Sequence, residues 1–251
     1  MLDRVQLKKE AKQITKTACV SAYLFTLLYM VIVNVLDVIN AYVGGDVIAA
    51  MQLYLPDMEV PRFFQHAAGF PQITVLFVTV MVSLLSSVLH AGVVLYHQGV
   101  RRGEEMPFTT LFDGFSFVGK LILLDIVMYI IIFLWTCLFV IPGLIAAYRY
   151  RFAVYNLCEN PELGVMEALR MSKVQTYGYK ADLFILDLSF FGWSFLCALT
   201  LGILSIWVAP WIMQTEIGYF EEIKRRKGVG KLRQDVPKED DFGSCDGFGR
   251  F

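Results

Sequence analysis

The stretch from Lys120 to Glu159 constrains the fold more than any other. From Leu121 to Ile141 it is almost wholly apolar, with one carboxylate at Asp125. Pro142-Gly143 interrupts it, and a second run, Leu144 to Cys158, carries Arg149 and Arg151. An apolar helix of roughly 20 residues crosses the ~30 Å hydrocarbon core of a bilayer. The pattern predicts a helical hairpin in a membrane with its tip at Pro142-Gly143. A single long helix would carry Arg170, Lys173, Lys180 and the run Lys224-Arg225-Arg226-Lys227 to the outer side. A return at Pro142-Gly143 keeps every basic residue inside except Arg62, Arg149 and Arg151. Lysine and arginine in short loops mark the cytoplasmic side, so the hairpin is preferred. Its second arm is short, covering only about 22 Å.

The same signature recurs along the chain. Hydrophobic residues make up 57% and charged residues 18%, against about half and a quarter in soluble domains. Six apolar runs emerge: Thr17–Ile39, Ile73–Tyr96, Leu121–Ile141, Leu144–Cys158, Ala181–Leu201 and Ile203–Phe220. The fold class expected is all-α, a polytopic membrane helical bundle of about six transmembrane helices with short interfacial helices. Residues 17–227 form the transmembrane domain, and both termini are expected to be cytoplasmic. The first run is longer than a signal-peptide core and lacks a convincing cleavage site, so a retained helix is expected.

The connecting segments carry their own signals. Residues 1–16 form a basic amphipathic segment, with Lys8, Lys9, Lys12 and Lys16 on one side and Leu7, Ala11 and Ile14 on the other. It is either a helix lying on the anionic inner face or a charged region that orients the first span. Val47–Leu55 is apolar but too short to span, so an interfacial or re-entrant segment is expected. Phe108, Phe112 and Phe115 recur at helical spacing and predict a short interfacial helix. Asn160 and Pro161 are placed to start an inner helix, and Gly178 to end it. Gly202 marks a turn, and Pro210 should kink the last span. Residues 228–251 are too rich in glycine and charge to bury a core and are expected to be a disordered cytoplasmic tail. Leu121–Asp125 and Leu183–Asp187 each open a span with four apolar residues and an aspartate, as if two hairpins shared one design.

Ionisable residues inside lipid are the default functional candidates. They are Asp125, Arg149, Arg151, Asp187 and Glu216. Counting along the helices puts the three acids at one depth, near the inner third, with the arginines closer to the middle. Two readings follow. The acids line an ion- or proton-accessible cavity with Arg149 or Arg151 as counter-charge. Or Asp125 and Asp187 favour the positive N-terminal ends of their helices, and the arginines snorkel or bind lipid phosphate. The second is preferred.

Other chemistries find little support. The five cysteines are scattered without a CxxC pair, so no metal or other cofactor is expected. His90 and His97 stand about 10 Å apart along one helix face, too far to share a metal. They read as packing residues. Glu221-Glu222 with Arg226 matches an EExxxR string of intramembrane proteases, yet no histidine follows His97. It reads as a solvated helix end. With 22 basic and 23 acidic residues, nucleic-acid binding is not expected.

Phe139-Val140-Ile141-Pro142-Gly143, Asn160-Pro161, the run Glu167 to Lys173, Gly178, Leu188 to Trp193 and Thr200 to Ile203, with Pro210 and Thr215, carry a resemblance. They resemble an uncharacterised family of bacterial integral membrane proteins, domain of unknown function 975. The resemblance covers the C-terminal half well and the first two spans by pattern. Where that family usually has a tryptophan after the glycine, this chain has Tyr179-Lys180-Ala181-Asp182. The resemblance implies a multipass protein of the bacterial cell membrane and no assigned activity. A looser similarity, to membrane domains fused to some glycerophosphodiesterases, shares the Pro-Gly and Ala-Leu-Arg-x-Ser patterns.

The expected function is a non-enzymatic scaffold or membrane-homeostasis component. A small transporter, or an accessory subunit of one, is the alternative. Expected partners are membrane lipids, anionic ones included, and a membrane protein or a second copy of the chain.

Overall fold

The computed structural model describes residues 4–17, 21–45, 70–200 and 202–228. The Val47–Leu55 segment, the tail beyond Gly228, Cys19 and Cys245 lie outside the described residues. Within them every regular element is helical. In chain order these are α1 (Arg4–Thr17), α2 (Ala22–Gly44), α3 (Gln72–Arg102), a 3-10 helix (Phe108–Phe117), α4 (Val118–Leu138) and α5 (Val140–Tyr150). They continue as α6 (Ala153–Glu159), α7 (Val165–Thr176), α8 (Lys180–Leu199) and α9 (Ser205–Lys227).

The outward faces are apolar. Val31, Val35 and Val38 on α2, Leu76 and Phe77 on α3, Phe133 and Leu134 on α4, and Leu188, Phe191 and Phe195 on α8 are all exposed. A contiguous apolar belt of this kind marks a surface meant for lipid or another protein. Among the described residues, four stretches are long and apolar enough to cross a membrane: Ala22–Gly44, Gln72–Arg102, Phe108–Leu138 and Lys180–Leu199. The expected count of about six is not reached by that measure, and two elements explain why. The run Leu144–Cys158 is not one helix: it divides between α5 and α6 at Arg151-Phe152. The last run, in α9, is less apolar because Gln214, Thr215 and Glu216 interrupt it. α9 instead packs centrally, touching α1, α2, α3, α7 and α8.

The hairpin exists, with its break three residues before the proline. Phe139 adopts φ −159°, ψ 146° and separates α4 from α5. Pro142 lies in the first turn of α5, where no intrahelical N–H partner is lost. Gly143 then lets the two arms approach, since a Cβ there would stand 2.9 Å from Thr136 Cα. The tip residues Val140 and Ile141 are 75% and 72% exposed, a placement that hydrocarbon tolerates and water penalises.

One further expectation shifts. α7 starts at Val165, not at Pro161: Gly164 N–H donates to Glu167 Oε2 at 3.0 Å, and Asn160 instead accepts from Leu163 N–H in a preceding turn. Gly178 does follow the end of α7, at φ +84°. Gly202 (φ +85°) makes the turn between α8 and α9, its N–H reaching Cys197 O at 2.8 Å. Pro210 sits inside α9 and is buried.

α1 packs against α9. Leu7 and Ala11 are buried, Trp211 Nε1–H donates to Lys8 O at 3.0 Å, and the Lys8 ammonium lies 3.8 Å over the Phe190 ring. Burial, followed by the neighbouring Arg4, holds the Lys8 ammonium below its ordinary pKa. The 3-10 helix lies flat on α3 through two glycines. A Cβ on Gly92 would meet the backbone of Leu111, and one on Gly114 would stand 2.5 Å from Val88 O.

Candidate functional site

The break between α5 and α6 positions the principal charge. At the break the helical ladder is interrupted, and α7 repairs it from the side. Ser172 Oγ accepts from Phe152 N–H at 3.2 Å and donates to Arg149 O at 2.9 Å. Thr176 Oγ1 donates to Arg149 O at 3.1 Å. Neighbouring hydroxyls are the usual remedy for an interrupted helix where water is scarce. The turn so stabilised projects Arg151 inward.

Arg151 is held by two acids on two further helices. Its Nη1 and Nη2 meet Asp187 Oδ2 and Oδ1 at 2.6 and 2.9 Å, a bidentate pair, and Nη2 also meets Glu216 Oε1 at 2.6 Å. Tyr148 OH donates to Asp187 at 2.7 Å, and Tyr155 OH to Glu216 at 2.9 Å. The arginine is 20% exposed and Glu216 18%. Charge-assisted, bidentate bonds of this type are the strong ones. The cluster fastens α5 and α6 to α8 and α9.

The other candidates are elsewhere. Asp125 accepts from Ser87 Oγ and lines a groove of about 680 Å³ between α3 and α4 with Thr79, Ser83 and Tyr129. It does not join Arg151. His90 on α3 lies within electrostatic reach of both Asp125 and Glu216. Arg149 lies near Lys173 and Lys180 instead of the acids. The three acids of the cavity reading are therefore divided: Arg151 gathers Asp187 and Glu216, while Asp125 and Arg149 remain apart.

A second polar layer, unmarked by any periodic pattern, lies at the basic end of the bundle. Asn156 and Gln175, both buried, exchange side-chain hydrogen bonds at 2.8 Å. Gln214 Nε2 lies 3.0 Å from His97 Nδ1 and donates to His97 O at 2.9 Å. Arg101 pairs with Glu221 at 2.6 Å, and Lys224 with Glu159 at 2.5 Å. The EExxxR acids are thus both occupied by arginine: Glu221 by Arg101 and Glu222 by Arg225 and Arg226. Among the described residues no group of three or more His, Cys, Asp or Glu could hold a metal ion. The only signal for this layer would have been isolated amides within otherwise apolar helices.

An apolar belt around a core cross-linked by charge defines the class, an all-α polytopic membrane bundle. Residues 137–227 match the family model described as protein of unknown function (DUF975). It contains the hairpin tip and all of Arg151, Asp187 and Glu216, whereas Asp125 falls before it. No curated protein and no solved structure matches the chain.

Proposed function

We propose that the chain is a non-enzymatic multipass membrane component, a scaffold or a part of membrane homeostasis, with both termini on the cytoplasmic side. One observation carries this reading: Arg151 is satisfied by two carboxylates and each carboxylate by a tyrosine. Charges used up in this way brace helices rather than wait for substrate. The gathering of Arg101, Arg102, Lys120 and Lys224–Lys227 at one end supports the orientation. Reporter fusions at the two termini test it, with the same cytoplasmic signal expected from both.

A small transporter, or an accessory subunit of one, is the second reading. His90 favours it, because it bridges electrostatically from Asp125 to Glu216 and histidine–acid chains in membranes serve as proton relays. Ion and proton flux in proteoliposomes separates the two. Background flux is expected for the wild type, Asp125→Asn and Asp187→Asn alike. Wild-type flux above that of empty vesicles, lowered in either variant, would replace the scaffold reading with transport.

A further inference from the structure

Arg149, Lys173 and Lys180 lie within electrostatic range of one another where α5, α7 and α8 meet. The hydrogen bonds of the helix break fix their positions. Arg149 O accepts from Ser172 and Thr176 on α7, and Thr176 O accepts from Tyr179 N–H at 3.1 Å, one residue before Lys180. Lys180 lies within electrostatic range of both Arg149 and Lys173, and the three like charges repel. Among the described residues, neither Arg149 nor Lys180 is in an ion pair with a carboxylate. Asp182, the nearest acid along α8, projects about 200° around the helix from Lys180. Asp187 lies on the Lys180 row but is committed to Arg151.

Below the cations the surface is apolar. Ile145 lies one turn from Arg149, and Phe184 and Leu188 lie one and two turns from Lys180, all exposed. The rings of Tyr148 and Phe184 meet edge-on at 6.2 Å, so α5 and α8 touch beside these residues. Three cations beside an exposed apolar surface match one ligand chemistry, a phosphate carrying acyl chains. We propose that this surface binds an anionic phospholipid, with its phosphate held by Arg149, Lys173 and Lys180 and its chains along Ile145, Phe184 and Leu188. Arginine supplies a planar fork to phosphate oxygens and lysine a point charge.

The proposal rests on the membrane placement above, and the test separates the two. The full chain is reconstituted in nanodiscs of phosphatidylcholine alone or with a minor share of phosphatidylglycerol. Co-elution with phosphatidylcholine discs reports membrane placement irrespective of lipid preference. Lipid retained on the protein after mild detergent extraction is then measured by mass spectrometry. Phosphatidylglycerol is expected to be enriched over its bulk share, with the enrichment falling roughly fivefold for each charge removed in Arg149→Gln and Lys180→Gln. Lys180→Arg should keep it, and so should the double variant Arg225→Gln, Arg226→Gln. Absence of enrichment in a protein that still enters the discs would overturn the proposal. So would unchanged enrichment in both single variants, or an equal loss in the Arg225, Arg226 control. Inorganic phosphate added to the detergent-solubilised protein is expected to leave its melting temperature unchanged. A phosphate-dependent rise abolished by Lys180→Gln would assign the site to a free anion instead.

Discussion

Replacing Arg151 with leucine is expected to destabilise the bundle by about 3–5 kcal/mol. Among the described residues the guanidinium is the one cation contacting Asp187 and Glu216, which approach it from α8 and α9. Without it each carboxylate keeps one tyrosine hydroxyl, from Tyr148 or Tyr155, and the two negative charges face each other across an apolar side chain. Arg151→Lys should retain part of the stability, because a point charge cannot span both acids as a planar fork does. Adding Asp187→Asn and Glu216→Gln to Arg151→Leu should recover much of the loss, since neutral polar groups cost less to bury than unpaired charges. Denaturant titration in mixed micelles, followed by tryptophan fluorescence, measures all three. A leucine variant as stable as the wild type would mean that the cluster is ornamental and the helices are held by packing alone.

Gly92→Ala is the second large effect. The added methyl would meet the carbonyl of Leu111, a backbone atom that cannot swing aside. Overpacking of this kind costs about 1–3 kcal/mol, and relief requires the 3-10 helix to lift from α3. Gly192→Ala is the control: nothing lies within 4 Å of a Cβ there, and alanine favours helix over glycine by ~1 kcal/mol. Gly92→Ala should lower the melting temperature in detergent and speed cleavage between Arg102 and Phe117 by a protease added to solubilised protein. Gly192→Ala should do neither. Equal melting temperatures for the two variants would show that the contact at Leu111 yields without strain.

The apolar runs were legible because lipid-facing helices need nothing but length and greasiness, and α2, α3, α4 and α8 have both. The hairpin was legible from charge, but its break point was not. Proline suits the first turn of a helix as well as it ends one, so Pro142 marks the start of α5 while Phe139 makes the turn. Counting residues put Asp125, Asp187 and Glu216 at one depth, yet depth says nothing of azimuth. Arg149 and Arg151 are separated by about 200° of helix, which sends one to the α7–α8 surface and the other to the acids. The pairs Asn156–Gln175 and His97–Gln214 join residues far apart in sequence and leave no periodic trace. α9 illustrates the same limit. It reads as the sixth span, yet its amide and acid side chains are what its neighbours bind.

The central position of α9 has a consequence for biogenesis. The ribosome delivers this helix after all the others described, yet His97, Arg101, Tyr155 and Glu159 each find a partner on it. Until it emerges, the earlier segments wait in the translocon's vicinity with unmatched polar groups. A nascent chain halted before Ser205 would therefore present a recognisable defect to membrane quality control, whereas one halted after Lys227 would not.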